Sequence, residues 1–167
     1  MSAQPANVLF LCTGNSARSI LAEALLNRDG GGRFRAFSAG SFPKGAVHPM
    51  ALAVLRDGGF ATAGLRSKSW DEFAGAEAPP LDVIVTVCDN AAGEVCPIWP
   101  GQPMTAHWGI EDPAAVAGPG QRAAFDLALR RLAGRMRAFL VLPAGVDREE
   151  LKARLRAIGQ MTDADLG

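Results

Sequence analysis

Five residues separate Cys12 from Arg18 in the run Cys12-Thr13-Gly14-Asn15-Ser16-Ala17-Arg18-Ser19. An apolar stretch, residues 7–12 (NVLFLC), leads into it and a helical pattern follows, so the run reads as strand, tight loop and helix N-terminus. Backbone N–H groups of such a loop have no helical partners and converge where the helix dipole favours negative charge. Arg18 adds a planar fork suited to a tetrahedral oxyanion. Thr13, Gly14, Asn15, Ser16, Ala17, Arg18 and Ser19 are therefore the candidate oxyanion cradle. A thiol at its mouth feels the same field, so the Cys12 thiolate is expected to be stabilised and its pKa lowered. Ser19 is expected to donate a hydrogen bond to the sulfur, and Gly14 to take a backbone conformation that a side chain would obstruct. One nucleophile beside one oxyanion site points to attack on phosphorus or a phosphorus-like centre. A nucleotide P-loop would need a lysine that this loop lacks, and a dinucleotide fingerprint would need three spaced glycines where there is one.

The other chemistry-bearing residues lie far along the chain. Cys88 and Cys96 bring the cysteines to three, an odd number that does not suit a disulfide-stapled fold. Taken singly, each is a small buried hydrophobe. A zinc site from Cys88, Cys96 and His107 fits no common knuckle spacing and lacks a fourth ligand. Asp112-Pro113 by itself is a turn initiator. His107 is expected to order the loop near Asp112, and His48 to stand at a turn or helix start.

Elements must bring these residues together. Residues 7–12, 33–38, 81–87 and, more weakly, 104–108 read as strands, the third (LDVIVTV) β-branched and nearly all apolar as in a parallel sheet buried on both faces. Helical patterns run from about residue 19 to 29 and over 49–55, the latter stopped by Gly58-Gly59. Residues 121–142 form a longer one, with Phe125, Leu129, Leu132, Met136 and Phe139 on one face. Its other face carries Arg122, Arg130, Arg131, Arg135 and Arg137, expected to be solvated. After Pro143, Asp147 and Glu150 have capping-box spacing, with Val146 and Leu151 as a hydrophobic staple. A short terminal helix packed on the domain is expected there, then a frayed tail. Alternating strands and helices make an α/β domain with a parallel sheet and right-handed crossovers. Ligands of such sheets bind beyond the carboxyl ends of the strands, which is where Cys12 and Cys88 both stand.

At this point the residues carry a resemblance. The stretch VLFLCTGNSARSILAE, residues 8–23, resembles the signature of the low-molecular-weight phosphotyrosine phosphatases. Residues 86–97 (TVCDNAAGEVCP) and 107–113 (HWGIEDP) are similar to the arsenate reductases of that superfamily that are coupled to thioredoxin. The resemblance implies a three-layer α/β/α fold around a four-stranded parallel sheet. It implies arsenate in the Thr13–Ser19 loop, attack by Cys12, and Asp112 as general acid. It further implies a relay in which Cys88 attacks Cys12, releasing arsenite, and Cys96 then attacks Cys88. No tightly bound cofactor is implied, only an external thiol reductant, with phosphate and sulfate as competing oxyanions. Eight intact helical residues would hold the α-carbons of Cys88 and Cys96 about 12 Å apart, whereas a disulfide accepts roughly 4.4–6.8 Å. Residues 89–95 are thus expected to form a mobile redox segment, with Gly93 its weak point.

Three departures accompany the resemblance. Ala17 stands where many relatives carry another cysteine, and the interval from Cys88 to Cys96 is one residue longer than in the best-known ones. Asn15, Glu23 and Ser38 match residues that hold potassium in some relatives, but Lys68 lies close to the missing acidic ligand, where an ammonium would replace the cation. The alternative activity is hydrolysis of phosphotyrosine or a small phosphate ester through Cys12, Arg18 and Asp112 alone. Ala114-Ala115 after the Asp-Pro pair, in a chain without tyrosine, favours a small inorganic oxyanion instead.

Length and charge set the outer bounds. The 167 residues suit one domain, divided into a flexible 1–6, a catalytic 7–142 and a helical extension 143–167. Lys+Arg and Asp+Glu both number 17, and this balance argues against nucleic-acid binding. No apolar run approaches the ~20 residues that cross a bilayer, and residues 1–6 lack a secretion signal. A cytoplasmic monomer is expected, with dimerisation through the terminal helix as the alternative.

Overall fold

Four apolar runs form the strands β1 (Ala6–Leu11), β2 (Phe34–Ala39), β3 (Val83–Thr86) and β4 (Met104–His107). They make one sheet in the order β2-β1-β3-β4, and every pairing is parallel. Val8 stands between Ala36 and Val83, and Leu11 between Ala39 and Thr86. Because successive strand residues face opposite ways, β1 and β3 serve two cores. Val8, Phe10, Val83 and Val85 face the larger one, and Leu9, Leu11 and Ile84 the smaller, with Phe73, Leu81 and Trp99. Burial on both faces explains why these strands are continuous apolar runs. The computed structural model describes residues 5–75, 77–88, 99, 101–143 and 145–166. The expected redox segment and Cys96 lie outside the described residues.

The larger core is built by the helices α1 (Arg18–Asp29), α2 (Pro49–Asp57), α3 (Gln121–Leu140) and α4 (Arg148–Gly159). Ile20, Leu21 and Leu25 from α1 meet Leu132, Met136 and Phe139 from α3 against the sheet. His48 caps α2 by accepting from Met50 N at 3.0 Å, and Pro49 begins that helix, which is the helix-start role expected of this histidine. Asp147 caps α4 by accepting from Glu150 N at 2.8 Å. Leu155 and Ile158 of α4 are buried in the larger core beside the edge strand β4. A Cβ at Gly159 would collide with the His107 carbonyl, so the end of α4 and the end of β4 touch through backbone. Among the described residues, no helix is long and apolar enough to cross a membrane.

Two expectations fail here for identifiable reasons. The tail does not simply fray: it forms a further helical turn, α5 (Asp163–Leu166). Asp163 of that turn pairs with Arg131 of α3 through two hydrogen bonds of 2.8 and 2.9 Å. Nor is the arginine side of α3 uniformly solvated. Arg122 pairs with Asp57 and Asp126, and Arg135 is only 6% exposed inside the fold.

Candidate active site

The loop after β1 is shaped by bonds to its outer side. The carbonyl of Thr13 accepts from Phe42 N, that of Gly14 from Lys44 N, and that of Ser16 from His48 N, each at 2.9 Å. A planar trans peptide sets its N–H opposite its C=O, so the N–H groups of Gly14, Asn15 and Ala17 turn to the inner side. The first residue of α1 is Arg18, and the preceding Ala17 supplies no side-chain cap. The first-turn donors are therefore left for an anion. Asn15, not Gly14, takes the left-handed conformation, at φ 43°, a region that asparagine tolerates better than most residues. Gly14 matters for space instead, since a Cβ there would press on the methylenes of Lys44 at 3.2 Å. Gly40, at the end of β2, is hemmed in more tightly, by the carbonyls of Cys12 and Thr13.

Two sulfurs meet at this loop. Cys12 follows β1 and Cys88 follows β3, and both are buried. Thr13 N–H donates to Cys88 Sγ at 3.4 Å, and the Cys12 thiol is hydrogen-bonded to Cys88. This changes the expected titration. The hydrogen bond to Cys88 and burial push the Cys12 thiol well above its ordinary range, while Arg18 and the Gly14 amide pull it down. The expectation of a lowered pKa considered Cys12 by itself. With a second thiol in contact, that hydrogen bond and burial outweigh the pull of Arg18 and the loop amide. Ser19 is fully buried, and its Oγ accepts from Asn15 Nδ2 at 2.8 Å.

Arg18 and Asp112 complete the pocket, which encloses about 190 Å³ between Cys12, the loop, Phe42 and Lys44. Asp112 Oδ1 accepts from Ala114 N at 2.9 Å and caps a short turn, so its local role as turn initiator is real. Its Oδ2 lies 3.8 Å from Arg18 NH2. Arg18 NH1 donates to the Ile110 carbonyl at 3.0 Å, whereas its Nε is buried and has no hydrogen-bond partner among the described residues. That orphaned donor, beside the inward amides, is the kind of group an oxyanion satisfies. The Nδ1 of His107 is engaged with Thr86 Oγ1 at 2.7 Å.

Asn15, Glu23, Ser38 and Lys68 come together beneath the loop. Ser38 Oγ donates to Glu23 Oε1 at 2.6 Å, and Lys68 Nζ lies 3.8 Å from the same oxygen. Lys68 Nζ also donates to the Arg66 carbonyl at 2.9 Å, and Lys68 N to Asn15 Oδ1 at 2.9 Å. Burial pushes the Glu23 carboxyl up and the Lys68 ammonium down, and each charge partly restores the other. Through Asn15 this pair is joined to the left-handed residue of the loop.

The sequence model for the low molecular weight phosphotyrosine protein phosphatases matches residues 7–155. The chain belongs to that family. The match passes Pro143 and takes in much of α4, so the family's length extends further than the expected boundary at 142. An arsenate reductase from Halalkalibacterium halodurans is 36% identical over 111 residues, covering 66% of this chain and 76% of the relative. A solved arsenate reductase from Archaeoglobus fulgidus superposes with a TM-score of 0.57 at 30% identity, covering 75% of this chain and 95% of that one. A thioredoxin-dependent arsenate reductase from Corynebacterium glutamicum gives a TM-score of 0.61 at 25% identity over 83% of this chain, which spans 62% of that protein's length.

Within the family's fold, three residues at or near the pocket escaped the sequence reading. Phe42 and Lys44 reach it from the β2–α2 loop, whose sequence carries no motif. Arg135 had a signal that was misread: it occupies the buried stripe of α3 between Leu132 and Met136, where the pattern asks for an apolar residue.

Proposed function

We propose that this protein is an arsenate reductase that passes oxidation from Cys12 to Cys88 and then to Cys96. The observation that carries this reading is the contact of two thiols at one oxyanion loop. A phosphatase working through Cys12 alone has no use for a second sulfur there. Arsenate oxygens would take up the inward amides of the Thr13–Ser19 loop and the Nε of Arg18. Cys12 gives its proton to an arsenate oxygen and attacks arsenic as the thiolate, while Cys88 keeps its own proton. Protonated Asp112 gives its proton to the departing hydroxide, so water leaves and a sulfur–arsenic bond forms. Cys88 yields its proton to an arsenic-bound oxygen and attacks the Cys12 sulfur. The sulfur–arsenic bond breaks, its electron pair passes to arsenic, and arsenite departs, leaving a Cys12–Cys88 disulfide. The Cys96 thiolate then attacks Cys88 and frees Cys12. An external dithiol returns two electrons and two protons to the Cys88–Cys96 disulfide.

Thioredoxin is the reductant in this reading, supported by the neighbour described as thioredoxin-dependent. A relay that needs reduced thiols belongs in the cytoplasm. A monomer is the working unit in this reading. Phosphate and sulfate compete for the same cradle. The test is a single turnover of Cys96→Ser with arsenate and no reductant. One arsenite per protein and a Cys12–Cys88 crosslink in the peptide map are expected; unchanged thiols would overturn the relay.

A second reading, aryl phosphate hydrolysis, draws on Phe42, which is 74% exposed at the pocket rim. Such hydrolysis would require Cys12, Arg18 and Asp112 and be indifferent to Cys88→Ser.

A further inference from the structure

The segment from Trp108 to Asp112 runs off the edge strand β4, which has a sheet neighbour on one side only. Its amides find partners on β3 and the residue after it: Trp108 N donates to the Thr86 carbonyl at 2.8 Å and Ile110 N to that of Val87 at 3.2 Å. Three successive carbonyls on the segment are taken by arginines. Arg18 NH1 holds Ile110 O at 3.0 Å, and Arg135 NH1 holds both Trp108 O at 2.9 Å and Gly109 O at 3.0 Å. Arg135 comes from the middle of α3, on the buried stripe with Phe125, Ala128, Leu132, Met136 and Phe139. Burial disfavours its charge, and an apolar side chain would fill that position at less cost. A chain that keeps a guanidinium there breaks its own helical pattern, and such breaks mark functional constraint. What the guanidinium does in this fold is fix two carbonyls three and four residues ahead of Asp112.

We propose that Arg135 is a positioning residue for the general acid, acting through the Trp108 and Gly109 carbonyls to hold Asp112 over the pocket. This rests on the reading of Asp112 as the acid. Arg135 itself is not among the residues lining the pocket, so its effect falls on the chemical step and not on anion binding. A general acid held in register contributes on the order of 10²–10⁴-fold, and a loosened loop forfeits part of that.

The test is a double-variant cycle read in steady-state kinetics with arsenate, on wild type, Arg135→Met, Asp112→Asn and the combination. Arg135→Met is expected to lower kcat by about tenfold or more, a part of what a general acid supplies, with KM near the wild-type value. Arg135→Lys, which keeps a charged donor for the two carbonyls, is expected to recover most of the rate. In the Asp112→Asn background, Arg135→Met is expected to cost nothing further, because the group it positions is gone. Equal fold-losses in both backgrounds, or a wild-type kcat in Arg135→Met, would overturn the proposal. Should Arg135→Met not fold, Arg135→Gln carries the same cycle with one neutral donor retained. Wild-type turnover keeps the two failures apart: if the protein hydrolyses an aryl phosphate but leaves arsenate unreduced, the reductase reading falls. The cycle is then run on the ester, where Arg135 stands or falls by the same criterion.

Discussion

At the scale of single residues, the Cys12 thiol is raised first of all by its hydrogen bond to Cys88. In Cys88→Ala that bond and the like charge disappear, while Arg18 and the Gly14 amide remain. Alkylation of Cys12 should then reach its half-maximal rate about one pH unit lower or more, measured as iodoacetamide reactivity against pH. An unchanged profile would show that Cys88 does not control the nucleophile. That Cys12 and Arg18 share one loop was legible from residue type and local spacing, whereas Asp112 by its own sequence reads only as a turn initiator and enters through the resemblance. The effect of Cys88 on the Cys12 thiol was not legible, since Cys88 reaches Thr13 across 75 positions of chain. The left-handed turn at Asn15 was not legible either, because glycine and asparagine both tolerate that conformation and stand side by side here.

Lys68 belongs to the same scale. In Lys68→Ala, Glu23 loses its cation and stays buried, so its carboxyl rises further above the ordinary 4.5. The folded state then holds a proton that the unfolded state releases, and stability falls as pH rises through and above that value. The unfolding free energy of Lys68→Ala should fall increasingly below wild type as pH rises above the ordinary carboxyl range, by an amount on the order of 3 kcal/mol at neutral pH. Its arsenate turnover should also become dependent on added potassium, whereas wild-type turnover should not respond to it. A pH-independent difference and no potassium effect would contradict the substitute-cation reading.

At the scale of elements, the site depends on where β2 ends. Gly40 packs its bare Cα against the carbonyls of Cys12 and Thr13, and a Cβ there has no room. Gly40→Ala should destabilise the fold by about 1–3 kcal/mol and depress turnover, because the displaced atoms are those of the oxyanion loop. A variant with wild-type melting temperature and rate would show that the loop gives way freely. The buried strands and the caps at His48 and Asp147 could be read from sequence because alternation, proline and capping-box spacing are local signals. The arginine side of α3 could not, because a helix pattern states which residues share a face without stating what lies opposite. Arg135 meets backbone carbonyls from β4's loop, and Arg131 meets Asp163 from a turn 32 residues later.

At the scale of the whole molecule, the parallel order β2-β1-β3-β4 brings Cys12 and Cys88 to one end of adjacent strands. That placement was legible from two apolar runs, each ending in cysteine. The packing of a terminal helix was legible too, but its bond to Trp108 was not, because nothing before Pro143 announces a contact with α4. Yet Trp108 Nε1 donates to the Leu155 carbonyl at 2.9 Å, and the Leu155 side chain is fully buried. Leu155→Ala should cost about 2–5 kcal/mol in chemical denaturation while the backbone bond to Trp108 survives. A loss near zero would mean that α4 merely rests on the domain.

The relay is a property of the whole chain, and it is tested most directly by arsenate-dependent NADPH oxidation with thioredoxin and thioredoxin reductase. Wild type, Cys88→Ser and Cys96→Ser are compared, with hydrolysis of a generic aryl phosphate run alongside. Arsenate turnover in wild type, its loss in both variants, and any ester hydrolysis retained are the predicted results. Ester hydrolysis without arsenate turnover, indifferent to both substitutions, would contradict the relay and leave a phosphatase that works through Cys12 alone.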